Sequence, residues 1–271
     1  MSNLNPIGVF DSGVGGLSIL AKIRELLPRE NLVYVADSAH APYGARTDSY
    51  IQQRCEHIMT FFRTEQVKAV VLACNTATAA AVTRLRQDHH LPIIGMEPAL
   101  KPAARQSRAG VVGVLATAGT IGSDRFFHLQ SQFASEVEII TQPCPGLVEH
   151  IEQLVPDRRA LRALLVEYIE PLLARGADTL VLGCTHYSLI TGLIAEIAGS
   201  QVQIMDTGFA VARELQRRLA EQGSLQEGLE TGQIRFYSSG SPAQQQALMS
   251  HYWGREVKVA LLPDTRPVSA A

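Results

Sequence analysis

Short apolar-rich runs, several of them uninterrupted, separated by helical patterns, constrain this chain more than any other feature. They read "IGVF" from Ile7, "NLVYVAD" from Asn31, "AVVLACN" from Ala69, "PIIGM" from Pro92, "GVVGVLA" from Gly110, "EVEII" from Glu136, "TLVLGC" from Thr179, "VQIMD" from Val202, "IRFYS" from Ile234 and "VKVALL" from Val257. A strand with one wet face alternates apolar and polar residues, whereas a continuously apolar run suits a strand covered on both faces, as in parallel sheets flanked by helices. Between the runs lie amphipathic segments such as "LSILAKIRELL", where Leu17, Leu20, Ile23 and Leu27 recur at three- and four-residue spacing. The expected fold class is α/β, with largely parallel sheets.

The pattern is written twice. "GVFDSGVGG" from Gly8 has the same strand-then-small-residue character as "GVLATAGTIG" from Gly113, an offset of 105 (113 minus 8). "VKAVVLACNT" matches "ADTLVLGCTH", and its cysteines Cys74 and Cys184 are offset by 110 (184 minus 74). Two nearly equal offsets imply two pseudo-symmetric α/β lobes, for which 271 residues leave room. The boundary is expected near "GMEPALKPAARQSRAG", where prolines and a basic loop interrupt the pattern.

Charge excludes some partners. With 24 Lys plus Arg against 26 Asp plus Glu, a formal charge of -2, and scattered basic residues, neither nucleic acid nor an anionic membrane is the expected partner. The N-terminal "MSNLNPIGVFDSG" has no basic stretch leading into an apolar one, and no run reaches 18 apolar residues, so the expected location is cytoplasmic. Four cysteines without CxxC spacing do not form a disulfide framework or a structural zinc site, which leaves the thiols reduced and available.

In parallel sheets, ligands collect at the carboxyl ends of the strands. Asp11, Ser12, Cys74, Asn75, Thr76, Thr117, Cys184, Thr185 and His186 all fall at such ends. The glycines of "DSGVGG" suggest a phosphate loop, with Asp37 where a dinucleotide fold holds the ribose, but Ser18 stands where the fingerprint needs glycine and no GK[ST] follows. A tight turn whose amides can hold a small anion such as a carboxylate fits as well. Cys55, inside the helical "YIQQRCEHIMTFF", and Cys144, before Pro145, read as buried small hydrophobes. Cys74 and Cys184 differ, because the repeat puts them at equivalent ends of strands in two lobes, beside polar residues. Thiols on opposite sides of one cleft could take a proton from one face of a carbon and return one to the other, inverting it. A metal site using Cys184, His186, Cys74 and Asp11, a Cys184–His186 hydrolase and a two-lobed carboxylate-binding protein remain alternatives at this point. Lys22, Lys68, Lys101 and Lys258 read as solvated charges, not as a cofactor-binding lysine.

"FDSGVGGLS", "YVADSAHAPYG", "ACNTATA" and "LVLGCTHY", followed by "DTG" at Asp206, closely resemble the glutamate racemases, in order and from residue 7 to about 208. The resemblance implies a cofactor-independent and metal-free enzyme that interconverts L- and D-glutamate for peptidoglycan. It implies an active site in an interdomain cleft, with a discontinuous first domain (1–97 plus 210–271) and a second (98–209). Carried over by position, Cys74 and Cys184 are the two acid/base residues; Asp11 assists Cys74, His186 assists Cys184, and Glu152 is a further acid near the second thiol. Implied substrate contacts are Asp11, Ser12, Tyr43, Gly44, Asn75, Thr76, Thr117, Thr185 and His186. Cys74 would take the proton from D-glutamate and Cys184 from L-glutamate. A racemase of aspartate or another small acid shares this logic, whereas a related decarboxylase keeps only one cysteine. Ser188 and Glu149 stand where the family usually has proline, which bears on loop stiffness. The long N-terminal extension of members activated by a cell-wall precursor is not in this sequence, so that activation is not expected. Dimers occur in the family in several arrangements, and a homodimer is the corresponding expectation.

Overall fold

All ten expected strands form in the computed structural model, which describes residues 4–264; the outermost ends of the expected first domain, 1–3 and 265–271, lie outside the described residues. The strands are β1 (Ile7–Asp11), β2 (Leu32–Ala36), β3 (Ala69–Leu72), β4 (Ile93–Ile94), β5 (Val111–Ala116), β6 (Glu138–Pro143), β7 (Thr179–Gly183), β8 (Gln203–Met205), β9 (Ile234–Ser238) and β10 (Val259–Leu261). One sheet has the order β10-β9-β2-β1-β3-β4 and the other β6-β5-β7-β8. Every pairing is parallel. β6 begins two residues later than the apolar pattern suggests, because the amides of Glu136 and Val137 still close a turn onto the Phe133 carbonyl.

The sequence repeat is a repeat of register. β2-β1-β3-β4 and β6-β5-β7-β8 share one order. Phe10 lies opposite Leu72 in the first sheet and Leu115 opposite Leu182 in the second. The offsets are again 105 (115 minus 10) and 110 (182 minus 72). Cys74 and Cys184 each stand two residues beyond these partners, at matching places relative to their central strands.

Why the runs are continuously apolar is visible in the packing. Successive residues of a strand face opposite sides: Ile7 and Val9 enter one core, Phe10 the other. In the second sheet Leu115 and Val114 divide the same way. Helix Leu17–Leu26 buries Leu17, Ile19, Leu20 and Ile23. The helix Gly208–Glu221 covers the same face with Val211, Leu215 and Leu219. On the other face Ile51, Cys55, Ile58 and Phe62 of helix Asp48–Thr64 form the apolar stripe, so Cys55 is a core residue as expected. Truncating Phe62 there would cost about 3–5 kcal/mol.

The C-terminal segment returns to the first sheet as β9 and β10. Its helix Pro242–Trp253 also touches the second sheet's side, where Tyr252 Oη donates to the Ile151 carbonyl at 2.8 Å. One sequence reading is corrected. Lys68 is not a solvated charge: its side chain is 3% exposed, and its ammonium lies 2.7 Å from Glu30 Oε2 and donates to the Ser224 carbonyl at 2.7 Å. Its position just before β3, under the loop that follows helix Gly208–Glu221, leaves it little contact with water. Among the described residues no helix is long and apolar enough to cross a membrane.

Candidate active site

Each of the two cysteines stands at the N-cap position of a helix. Cys74 precedes Asn75–Asp88, and its sulfur accepts from the Ala77 amide at 3.4 Å. Cys184 precedes the short Thr185–Leu189. Both are buried, at 5% and 7% exposure. In both places a strand ends and the chain turns at once into a helix, so the thiol sits beside free backbone amides.

Around Cys184 runs a relay. Its Sγ lies 3.8 Å from His186 Nδ1, and His186 Nε2 lies 2.7 Å from Glu152 Oε1. The same carboxylate oxygen accepts from the Val14 amide at 2.7 Å. Burial alone would favour neutral His186, but Cys184 and Glu152 outweigh it and hold the imidazole well above the usual histidine value.

Around Cys74 the surroundings are different. Its Sγ donates to Ser12 Oγ at 3.7 Å, and Ser12 Oγ donates to Asp11 Oδ1 at 3.0 Å. Burial first, then the charge of Asp11, push the Cys74 thiol up to about 12, and the charge of Cys184 adds to the rise. Asp11 is fully buried; its Oδ1 also accepts from the Gly13 amide at 3.1 Å and its Oδ2 from Thr185 Oγ1 at 2.7 Å. Burial raises its carboxyl, opposed by His186 and these donors. Asp11 thus reaches Cys74 through Ser12 and touches the Cys184 side directly.

The glycine loop has its reason here. A Cβ on Gly13 would lie 1.9 Å from Glu152 Oε1, and one on Gly15 would lie 2.4 Å from His186 Nδ1 and 2.6 Å from the His186 amide nitrogen. Only glycine lets the β1 turn approach the Cys184–His186 segment this closely. The loop's amides do hold carboxylates, as a small-anion turn should, but these are the protein's own Asp11 and Glu152. Tyr34 fixes the loop from below, its Oη donating to the Gly13 carbonyl at 2.6 Å.

On the opposite side of Cys74, Thr76 Oγ1 lies 2.9 Å from Thr117 Oγ1 and 3.2 Å from Thr120 Oγ1. Gly44 abuts this group, since a Cβ there would lie 2.8 Å from Thr117 Cβ. Tyr43 directs its hydroxyl away to Asp37, so its backbone is what it can offer a ligand. Asn75 is 4% exposed, and both atoms of its amide are buried without a protein partner. Two donors and one acceptor left unpaired would be costly unless a ligand meets them.

Asp11, Ser12, Cys74, Thr185, Cys184, His186 and Glu152 are linked through these contacts, and Thr76, Thr117 and Gly44 form an adjoining group. Cys144 packs in the second lobe's core, its Sγ donating to the Gln142 carbonyl at 3.3 Å. Ser188 lies within helix Thr185–Leu189 and Glu149 is exposed on helix Leu147–Ile151. Two contributors were missed by sequence reasoning. Thr120 could have been found from the Thr117-x-x-Thr120 spacing of a capping turn, whereas Tyr34 looked like any core residue of a central strand. Among the described residues no three His, Cys, Asp or Glu side chains are grouped to hold a metal ion.

The sequence pattern of the Asp/Glu/hydantoin racemase family matches residues 7–215. The chain is 52% identical over 259 residues to the glutamate racemase of Stutzerimonas stutzeri, covering 95% of this chain and 97% of that one. Among solved structures it is similar to the glutamate racemase isoform RacE1 from Bacillus anthracis (TM-score 0.85, 31% identity, 96% and 97% of the two chains). It is similar also to the glutamate racemase from Francisella tularensis in complex with D-glutamate (TM-score 0.82, 28% identity, 96% and 98% covered).

Proposed function

The chain belongs to the Asp/Glu/hydantoin racemase family, and from that premise we propose that it is a glutamate racemase in which Cys74 and Cys184 exchange the α-proton without a cofactor. The observation that carries this reading is the matched placement of two thiols, one from each sheet, on two sides joined through Ser12, Asp11 and Thr185.

With L-glutamate bound, the Cys184 sulfur takes the α-proton while His186, held by Glu152, supplies the compensating positive charge. Cys74, with its value near 12, is still a thiol at neutral pH and gives its proton to the other face. D-glutamate runs the exchange in reverse, with Cys74 as base and Cys184 as acid. The hard step is the carbanion, because an amino acid's α-proton is far less acidic than a thiol of reference value about 8.5. Charge flowing into the α-carboxylate is met by the unpaired Asn75 amide, the Thr76 hydroxyl and the amides that open helix Asn75–Asp88. Water-poor surroundings strengthen each of these contacts.

The lobes separate the two bases, one on each side of a planar carbanion, along the division 1–97 plus 210–271 against 98–209. D-glutamate so made supplies peptidoglycan synthesis. Chiral chromatography of L-glutamate and, separately, L-aspartate incubated with the purified protein tests the reading. The expected result is racemic glutamate and nearly unchanged aspartate, with Cys74→Ala and Cys184→Ala each inactive but folded. Preferential racemisation of aspartate, or substantial activity in either cysteine variant, would defeat it.

A further inference from the structure

Asp37, weighed in the sequence as a ribose-binding acid, does something else. It is fully buried at the exit of β2, and both its oxygens are occupied. Arg54, on helix Asp48–Thr64, donates from Nε to Oδ2 and from Nη2 to Oδ1, each at 2.9 Å. Tyr43 Oη donates to Oδ2 at 2.5 Å. A ribose would find no acceptor free.

Three pieces of chain are therefore pinned at one carboxylate: the end of β2, the turn Tyr43–Ala45 and the helix behind it. The Tyr43 ring is 1% exposed and packs edge-on to Phe10, with centroids 6.3 Å apart. The next residue, Gly44, lies against Thr117, and a Cβ on Gly119 would come within 3.0 Å of the Gly44 carbonyl oxygen. Thr117 in turn meets Thr76, two residues beyond Cys74. The turn thus stands where the first sheet's loops meet those of the second, beside the hydroxyl cluster at the head of the Cys74 helix.

Burying an ion pair and a phenol is a poor way to gain stability, since apolar packing of similar volume often does as well. What a bidentate guanidinium–carboxylate pair adds is a fixed direction. We propose that Asp37 and Arg54 are positioning residues for substrate binding: by holding the Tyr43 hydroxyl they fix the Gly44 backbone against Thr117, where it receives a carboxylate of the substrate. This rests on the racemase reading above. Neither residue touches substrate; each acts through Tyr43.

Steady-state racemisation from each enantiomer is measured for wild type, Tyr43→Phe and Arg54→Lys, with thermal unfolding recorded alongside. Tyr43→Phe keeps the ring and the Asp37–Arg54 pair, so it folds, and KM should rise about tenfold in both directions, the loss of one hydrogen-bonded constraint, with kcat little changed. Arg54→Lys keeps the charge but not the fork and should raise KM similarly, without rescue by the conserved charge. Wild-type KM in a folded Tyr43→Phe protein overturns the proposal whatever happens to Arg54→Lys, as does a lowered melting temperature with KM unchanged. Wild-type protein that racemises no glutamate would instead defeat the function on which the proposal rests.

Discussion

Adding one methyl group at Gly15 tests the interlocking of the two halves of the site. The new Cβ would stand 2.4 Å from His186 Nδ1, 2.6 Å from the His186 amide nitrogen and 2.7 Å from Thr185 Oγ1. Ordinary contact begins near 3.4 Å, so the segment carrying Thr185 and His186 must retreat by about 1 Å, a displacement that typically costs about 10²-fold in rate when it misplaces reacting groups. One of the three atoms is backbone, so a rotamer change alone does not relieve the contact. Overpacking of this kind also costs about 1–3 kcal/mol of stability. Gly15→Ala should therefore fold with a melting temperature lowered by several degrees, and its racemisation of L-glutamate, followed by circular dichroism, should fall about 10²-fold. Gly192→Ala serves as control, because nothing lies within 4 Å of its added Cβ, and it should racemise at the wild-type rate. A Gly15→Ala protein with wild-type rates in both directions would refute the claim that the glycine loop sets the position of His186.

His186→Asn removes the imidazole from the Cys184 side only. Because the equilibrium constant between enantiomers is one, kcat/KM must fall equally in both directions; the difference appears in kcat, which should drop more for L-glutamate, by about 10²-fold, and equal drops would count against the pairing with Cys184. The raised value of His186 has a stability consequence: its contribution is full below the unfolded value of about 6.5 and is lost as pH rises through the higher folded value. Chemical denaturation between pH 6 and 9 should show His186→Asn with a flatter decline than wild type. Lys68→Ala leaves Glu30 buried without its cation and should lower unfolding free energy by about 3–5 kcal/mol, measured by urea titration; a loss under about 1 kcal/mol would mean water reaches the pair.

Much of this was legible in the sequence because parallel sheets betray themselves. Apolar-rich runs, several of them continuous, marked all ten strands, and nearly equal offsets marked the repeat that the registers of Phe10 with Leu72 and Leu115 with Leu182 reproduce. Strand ends placed Asp11, Cys74, Thr117 and Cys184 together. Contacts between distant segments were not legible. Glu152 on Val14 is a bond across 138 positions, and nothing in either segment announces it. Lys68 looked solvated because its partners are distant in sequence: the β2-β1-β3 order of the first sheet brings Glu30, and the segment after helix Gly208–Glu221 brings Ser224. Tyr43 was read as a ligand contact from its motif, yet its hydroxyl is spent on Asp37. The glycines of "DSGVGG" were seen, but what they make room for lies in the other half of the chain.

If two different thiols serve the two faces of the α-carbon, isotope exchange separates their contributions. L-Glutamate is incubated with the enzyme in deuterium oxide, and both enantiomers are recovered at low conversion for mass analysis. Cys184 keeps the substrate's own proton and Cys74 delivers one that has exchanged with solvent, so the D-glutamate formed should carry one deuterium while the remaining L-glutamate carries none. Deuterium appearing equally in both pools would place a single base on both faces and contradict the account.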